Sequence, residues 1–204
     1  MAFDVVPVTA DRWAELAEFF GPSGAYSNCW CAFWRLSGKE FSAGCAERGA
    51  GNRALLERLT REGREPGLLA YEEGQPVGWA GLAPRPEYAR VLRSPTLKPG
   101  PQPVDADDPD RGDDPDDPGV WAVTCFWIPR PQRGRGVATA LLAGAVAHAR
   151  ARGARELEAY PVETGGAKGD PASLYTGTAA MFRRAGFREV RKRKDTRPVM
   201  RLAL

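Results

Sequence analysis

The chain has 204 residues, of which 43% are apolar, and this suits one ordinary domain with a real hydrophobic core. No apolar run reaches the roughly 18 residues of a membrane span, and the start "MAFDVVPVTADRW" lacks the basic and apolar regions of a secretory signal. We therefore expect a cytoplasmic protein with a single domain over residues 1–204. Cys29 and Cys31 have a spacing that is only a weak metal signal, so we expect reduced thiols, no disulfide framework and no metal.

The formal net charge of +3 is unevenly spread along the chain. Residues 104–118, "VDADDPDRGDDPDDP", hold eight aspartates and one arginine, so the rest of the chain is strongly cationic. A folded body with this excess of Lys and Arg suits an anionic ligand. Nucleic acid and a phosphorylated small molecule are the two alternatives.

The residues before the first proline-rich segment predict a short strand, two helices and a hairpin. In the second helix, Asn52 is the expected cap and Gly63 the expected stop. The stretch "GAYSNCWCAFWRLSGKEF" between the helices has no clean period, which indicates a structured loop or an irregular helical segment. The four regular segments are "FDVVPV", "DRWAELAEFFG", "GNRALLERLTREG" and the hairpin "PGLLAYEEGQPVGWAGLAP".

Residues 84–118 are rich in proline and contain the aspartate cluster. This composition cannot bury enough apolar area to offset the conformational entropy of the chain, so we expect a surface loop inserted at about 98–118. A calcium loop is the functional alternative. However, the EF-hand pattern needs a glycine and a glutamate at fixed positions, and neither falls in frame.

After this insertion the pattern predicts a β-α-β unit, then a helix and two strands. Val120–Ile128 is almost entirely β-branched, aromatic or apolar, as in a central strand that is buried on both faces. The following helix runs from Val137 to Arg152 with one apolar stripe, and Gly153 ends it. The remaining segments are "ELEAYPV", "SLYTGTAAMFRRAGF", "FREVRKRK" and "PVMRLAL". This order predicts an α/β sheet.

The turn "PRPQRGRGVA" between this strand and this helix carries the strongest functional signal. Gly134 and Gly136 remove Cβ atoms where a ligand must approach the backbone. The first N–H groups of the helix have no acceptor within it, and the helix dipole and the arginines are positive there. The turn therefore predicts a cradle for an anion such as a pyrophosphate.

Three phosphate-binding motifs compete for this turn. The Walker loop requires G-K-[ST], which the turn lacks. The dinucleotide fingerprint G-x-G-x-x-G/A fails at Thr139, and four residues separate the strand from the turn. The third motif, [RQ]-x-x-G-x-[GA], is matched in full by Arg133, Gly136 and Ala138.

With "CFWIPRPQRGRGVATALL", "ELEAYPV" and "MFRRAGF", the chain resembles the GNAT superfamily of N-acetyltransferases. The segments "YSNCWCAFWRL" and "RPVMRLAL" are similar to an actinobacterial-type branch. The resemblance implies an α/β GNAT fold, in which a mixed, mostly antiparallel central sheet splays between strands 4 and 5 and is flanked by helices. It also implies acetyl-CoA as co-substrate.

The resemblance also assigns residues to the two parts of the cofactor. The main chain of Phe126 and Ile128 is expected to hold pantetheine and the acetyl carbonyl, since pantetheine amides can extend a sheet edge. The residues expected to wrap the pyrophosphate are Arg133, Gly134, Arg135, Gly136, Val137, Ala138 and Thr139.

The reaction that the resemblance implies is direct acetyl transfer to a primary amine of a small molecule or peptide. Many family members use a tyrosine in the last helix as the acid, but the corresponding residue here is Phe182. Tyr175, two helical turns earlier, and Tyr160, at the end of the fifth strand, are the candidate substitutes. Glu158 and Glu163 are candidates for relaying a proton.

The acceptor pocket is expected from about residues 22–45, with Tyr26, Trp30, Phe33 and Trp34 in its lining. A hydrophobic plug over the sheet is the alternative for the same side chains. The acidic insertion could attract a cationic acceptor such as a polyamine or an aminoglycoside.

Two other functions stay open. The missing tyrosine favours a catalytically silent domain that binds acyl-CoA as a sensor or partner module. Nucleic-acid binding through "REVRKRK" is disfavoured, because alternation along a strand splits those charges between two faces. We expect no nucleic-acid or membrane partner, and a monomer or a homodimer.

Overall fold

A seven-stranded sheet forms the centre of the molecule in the computed structural model, which describes residues 3–100, 112–166 and 173–204. The strands are Asp4–Pro7 (β1), Gly67–Glu72 (β2), Gln75–Pro84 (β3), Val120–Trp127 (β4), Glu156–Ala159 (β5), Arg188–Arg191 (β6) and Val199–Ala203 (β7). Their order across the sheet is β1-β2-β3-β4-β5-β7-β6. Every neighbouring pair is antiparallel except β4 and β5, which are parallel, so the expected fold class is confirmed.

Helices cover both faces of this sheet. They are Trp13–Phe20 (α1), Gly38–Gly44 (α2), Ala46–Arg61 (α3), Ala89–Arg93 (α4), Val137–Ala151 (α5) and Ala179–Arg184 (α6). On one face α5 packs against β1 to β4. A Cβ at Gly78 of β3 would lie 2.5 Å from Val137 Cγ1 and 3.0 Å from Leu141 Cδ1, so glycine is what allows this close approach. On the other face α1 and the aromatic stretch after it form a cluster around Trp79.

Strands β4 and β5 pair only over part of their length. Val120–Val123 pair with Glu156–Ala159, and β4 then continues to Trp127 without β5. On the β3 side, Leu82 lies opposite Val123 and Gly81 lies opposite Cys125, so Thr124 is an extra residue that forms a β-bulge. A bulge bends its strand and increases the local twist. The sheet therefore splays between strands 4 and 5, as expected.

The element boundaries show where local signals are sufficient. The helices α1 and α5, the β2–β3 hairpin and β4 are confirmed within about two residues, whereas β5 is shorter than expected. The sequence prediction lacks α2, although Ser37 and Glu40 form a capping box, with Ser37 N–H donating to Glu40 Oε2 at 2.9 Å. The expected capping role of Asn52 is wrong: it lies inside α3, and its amide donates to the Asn28 carbonyl at 3.0 Å.

The acidic insertion is not wholly solvated, contrary to the expectation from its composition. Residues 101–111 lie outside the described part of the chain. Asp113 is buried, and it accepts hydrogen bonds from Arg85 at 2.6 Å, from Arg191 at 2.8 Å and from Arg201 at 2.5 Å. Although burial disfavours the charged carboxylate, Arg201 and Arg85 hold the pKa of Asp113 below its ordinary value.

Asp113 belongs to a larger set of buried charges, which we call the buried ion network. Its members are Arg85, Arg191, Arg201, Asp113, Glu156 and Glu158. Three guanidinium groups and three carboxylates balance one another, and this balance makes their burial tolerable. The network joins the end of β3 and the insertion to β5, β6 and β7. Arg191, one of the cationic residues of "REVRKRK", is thus part of the interior.

Candidate active site

The turn before α5 presents its backbone to solvent. Gly134 and Gly136 have φ angles of +76° and +92°, a left-handed conformation that glycine adopts without the strain it imposes on other residues. Residues 133–136 are exposed, and no atom lies within 4 Å of a Cβ built on Gly134. The turn therefore has room for a ligand directly against its main chain.

The first turn of α5 consists of Val137, Ala138 and Thr139. The carbonyl of Gly136 accepts from Ala140 N–H at 3.0 Å, so the helical hydrogen bonds begin at this glycine. The N–H groups at the start of a helix have no acceptor within it, and the positive end of the helix dipole lies there. An anion at this turn would therefore be stabilised by the main chain.

Two arginines of the turn are held by nearby groups. Arg133 Nε donates to the Ile128 carbonyl at 2.9 Å. Arg135 donates to Glu72 Oε1 at 2.8 Å and also contacts Gln132. These contacts keep both positive charges beside the glycines, although exposed pairs of this kind contribute little to stability.

The main chain of Phe126 faces the gap between β4 and β5. Its N–H donates to the Tyr175 carbonyl at 2.6 Å, so the segment around Tyr175 lies beside β4 at the point where β5 no longer pairs with it. The Phe126 side chain points to the α5 face, where it is buried against Phe182. Ile128 follows the end of β4, one residue beyond the strand.

Tyr160 and Tyr175, the two candidate acids, lie in different surroundings. Tyr160 is fully buried and donates to Glu158 Oε1 at 2.5 Å. Burial and the neighbouring Glu158 raise the pKa of Tyr160 far above its ordinary value. Tyr160 is therefore held as a packing partner of the buried ion network.

Tyr175 is half-buried and precedes α6, which begins only at Ala179. The expectation that Tyr175 shares a helical face with Phe182 is therefore wrong, but the hydrogen bond from Phe126 still places Tyr175 beside the split. Burial, together with the nearby Cys125 thiol, raises the pKa of Tyr175 to about 12. Phe182 is fully buried, with its ring centroid 5.0 Å from that of Phe187.

The structure separates the four side chains expected in the acceptor pocket. Trp30 is 1% exposed and packs in the core against Trp13 and Phe20. Tyr26 is 65% exposed. Phe33 and Trp34 lie together, with ring centroids 5.0 Å apart.

Trp34 also approaches Tyr175, with a centroid distance of 6.4 Å. Phe33 and Trp34 are thus the two expected lining residues that the structure brings to the split. The proposed proton-relay residue Glu163 instead pairs with Arg183 at 2.6 Å.

Two cysteines, Cys31 and Cys125 of β4, approach each other. Cys31 Sγ is 3.7 Å from Cys125 Sγ, and all four cysteines are free. Hydrogen bonding to Cys125 raises the pKa of the Cys31 thiol, so this group stays protonated at neutral pH. Among residues 3–100, 112–166 and 173–204, no group of three His, Cys, Asp or Glu side chains is placed to bind a metal ion.

Two arginines near this site are missing from the sequence prediction. Arg90 of α4 contacts Phe33, and Arg197 donates to Thr176, the neighbour of Tyr175. No local motif marks either residue, because each reaches the site from a segment distant in sequence. In the part of the chain that the structure describes, no helix is long and apolar enough to cross a lipid bilayer.

Comparison with known proteins agrees with this geometry. A model of the acetyltransferase (GNAT) family matches residues 30–168. A search of curated protein sequences gave no match.

Solved structures share the fold over nearly the whole chain. One is the PaiA N-acetyltransferase from Thermoplasma acidophilum in complex with coenzyme A, with 11% identity, 100% of both chains covered and a TM-score of 0.52. Others are an N-acetyltransferase from Staphylococcus aureus Mu50, with 13% identity, 100% and 99% covered and a TM-score of 0.51, and the GNAT domain of PAT from S. lividans, with 22% identity, 98% and 89% covered and a TM-score of 0.50. The match to the family model over most of the chain, together with the splayed sheet and the glycine turn, shows that this protein belongs to the GNAT family and is an acyltransferase with acetyl-CoA as co-substrate.

Proposed function

We propose that this enzyme transfers an acetyl group from acetyl-CoA directly to a primary amine of a small molecule or peptide. The observation that carries the proposal is the separation of β4 from β5 after Val123 and Ala159, next to the exposed glycine turn of α5. An edge of β4 that β5 does not cover can pair with the amides of pantetheine. The turn offers donors for a diphosphate at the same end of β4.

The residues present fit the two parts of this co-substrate. The main-chain donors from Arg133 to Thr139 would hold the pyrophosphate, since the turn is open and its glycines allow close approach. The main chain of Phe126 and Ile128 would hold pantetheine and the acetyl carbonyl. Because the Phe126 N–H now donates to the Tyr175 carbonyl, the segment around Tyr175 has to share or release this donor when the acetyl group binds.

Acetyl-CoA supplies the thioester from which the acetyl group is transferred and the thiol that leaves. Tyr175 is protonated at neutral pH, and its segment lies beside the split, so its phenol is the available proton donor there. A pKa raised to about 12 makes it a weaker acid than an ordinary tyrosine. We assign Tyr175 as the proton donor for the leaving sulfur. Tyr160 is left out of this role because its hydroxyl is buried on Glu158.

Binding of the co-substrate can be tested at Thr139, which is exposed in the first turn of α5. Thr139→Glu brings a negative charge to the pyrophosphate position, yet an acidic residue there is favourable for the helix dipole, so folding should not suffer. We expect the Kd for CoA, measured by titration calorimetry, to rise at least about tenfold, or about 1.4 kcal/mol. The Kd of the uncharged control Thr139→Gln for CoA should stay within about twofold of the wild-type value. Equal affinity of the wild type and both variants for CoA would contradict the proposed cradle.

Turnover can be tested by thiol release from acetyl-CoA with a panel of primary amines. For Tyr175→Phe we expect kcat to fall about 100-fold, as for loss of a general acid, with an unchanged Kd for CoA. Wild-type kcat in the variant would remove Tyr175 from the mechanism. If the wild type binds CoA but acetylates no amine, the silent acyl-CoA-binding domain becomes the better description.

A further inference from the structure

The side chains around Tyr175 form an aromatic surface on the face of the sheet opposite α5. We call Phe33, Trp34, Phe41 and Tyr175 the acceptor surface. Phe33 is 5.0 Å from Trp34 and 5.3 Å from Phe41 between ring centroids, and Trp34 is 6.4 Å from Tyr175. Tyr175 lies next to the split, so an amine on this surface would be close to the thioester that the proposed function places there.

Arg90 is built into this surface. Its Nε donates to the Phe33 carbonyl at 2.6 Å, and its guanidinium carbon lies 4.1 Å from the centroid of the Phe33 ring. These contacts fix the planar group against the aromatic rings. One nitrogen, Arg90 Nη2, is buried and has no hydrogen-bond acceptor.

Arg197 is bound to the residue that follows Tyr175. Its Nη1 donates to Thr176 Oγ1 at 3.1 Å, which holds the guanidinium next to Tyr175 in the chain. The positive charges of Arg197 and Arg90 both act on the Tyr175 phenol and partly oppose the effect of its burial. By geometry, the Arg90 guanidinium lies over the rings of Phe33 and Phe41, and Arg197 is hydrogen-bonded to the residue after Tyr175.

These two cations differ from the other buried arginines because they have no anionic partner. In residues 3–100, 112–166 and 173–204, neither Arg90 nor Arg197 forms a salt bridge, whereas Arg35 pairs with Glu87 at 2.5 Å. The indole Nε1 of Trp34 is also buried without an acceptor. A buried donor without an acceptor is costly, and a ligand that brings the acceptor removes this cost.

We propose that the acceptor carries a carboxylate beside its amine, as a free α-amino acid with an apolar side chain does, and that Arg90 and Arg197 bind this carboxylate. This inference rests on the proposed function and names its substrate class. Guanidinium groups bind carboxylates through paired, charge-assisted hydrogen bonds. The aromatic rings would contact the apolar side chain of the amino acid, and its amine would lie on the Tyr175 side.

The same charges argue against the cationic acceptor suggested by the acidic insertion. A polyamine on this surface would place its ammonium groups beside two guanidinium groups, and repulsion between like charges at short range is unfavourable. Of the aspartates that the structure describes in the insertion, Asp113 is already neutralised by three arginines of the buried ion network, and Asp117 pairs with Arg155 at 2.5 Å.

The test compares acceptors that differ only in the carboxylate. Free phenylalanine, leucine and methionine would be assayed against the corresponding amino-acid amides, in which a neutral carboxamide replaces the carboxylate, with spermidine as a cationic competitor. We expect the wild type to have a kcat/KM at least about tenfold higher for each acid than for its amide, as expected for a charge-assisted contact. In Arg90→Gln and Arg197→Gln, the KM for the acid should rise and this preference should disappear. Arg93→Gln, at an exposed arginine of the same short helix, is the matched control and should keep it.

A second measurement separates this inference from the proposed function. Calorimetry of each amino acid binding to the CoA-saturated wild type and variants needs no turnover. Acetylation of amides or spermidine as fast as the acids would overturn the carboxylate inference and leave acetyl transfer intact. Arginine-dependent binding of the acids without any acetylation would support the carboxylate site and reject the transferase function. The inference is also wrong if the acids do not bind, or if they bind equally to the Arg90 and Arg197 variants.

Discussion

The two ends of β4 differ in whether the charged and polar groups beside them are paired within the protein. Near its first residue, the three carboxylates and three guanidinium groups of the buried ion network pair with one another in the interior, where only Arg85 Nε and Arg191 Nε of the network's guanidinium nitrogens are buried without an acceptor. Near its last residue, the exposed glycine turn presents main-chain N–H groups to solvent. Charges that balance one another stabilise the fold, whereas solvent-exposed donors are accessible to a ligand.

The largest expected effect comes from removing one charge of the buried ion network. Asp113→Asn leaves three arginines with less negative charge in the interior, and removal of one partner from a buried ion pair costs about 3–5 kcal/mol. Urea denaturation should show this loss in the free energy of unfolding. Asp116→Asn, at an exposed position in the same insertion, is the control and should have little effect. Equal stability of the two variants would show that the network contributes nothing specific.

A smaller effect is expected from restoring the family's tyrosine. Phe182 is fully buried between Phe126 and Phe187, so Phe182→Tyr places a hydroxyl in an apolar environment. We expect a loss of about 1–3 kcal/mol in the free energy of unfolding and no gain in kcat. A rise in kcat would mean that residue 182, and not Tyr175, is the position from which a proton is donated.

The acid part of the pH dependence of stability should depend on the buried ion network. The pKa of Asp113 is lower in the folded protein than in the unfolded chain. Its contribution is therefore complete above the unfolded value of about 3.9 and is lost as the pH falls through the folded value. Burial also lowers the pKa of His148, so the unfolded chain takes up a proton near pH 6.5 before the folded protein does. Urea midpoints should therefore fall slightly between about pH 7 and 5 and more steeply in more acid solution. The difference in urea midpoint between the wild type and Asp113→Asn should become smaller in acid solution. A difference that does not change with pH would contradict the lowered pKa of Asp113.

The smallest effect is expected at Arg135, an exposed residue of the glycine turn. Arg135 is exposed and pairs with Glu72, so Arg135→Gln should change the free energy of unfolding by less than about 1 kcal/mol. CoA affinity should fall only a few-fold, and its dependence on salt should weaken. A loss as large as that for Thr139→Glu would show that the side chain, and not the main chain, is the principal ligand of the pyrophosphate.

Local patterns along the chain were sufficient to predict β4, α5 and the turn between them. The apolar run of β4, the stripe of α5 and the glycines between them are contiguous, so their spacing alone predicts a strand, a turn and a helix N-terminus. The same reasoning reached the splay between strands 4 and 5 only through the family resemblance. The capping box at Ser37 was also present as a local signal for α2.

By itself, then, the amino-acid sequence predicted the glycine turn between β4 and α5 and the order of the elements around it, because these depend on neighbours within a few residues. Tertiary structure alone decided that Asp113 is buried and that Trp30 belongs to the core. It also decided that Tyr175 precedes α6 and that Arg90 and Arg197 lie near Tyr175. The physical reason is that burial and charge pairing depend on contacts between segments that are distant in sequence, and a local periodicity does not predict those contacts.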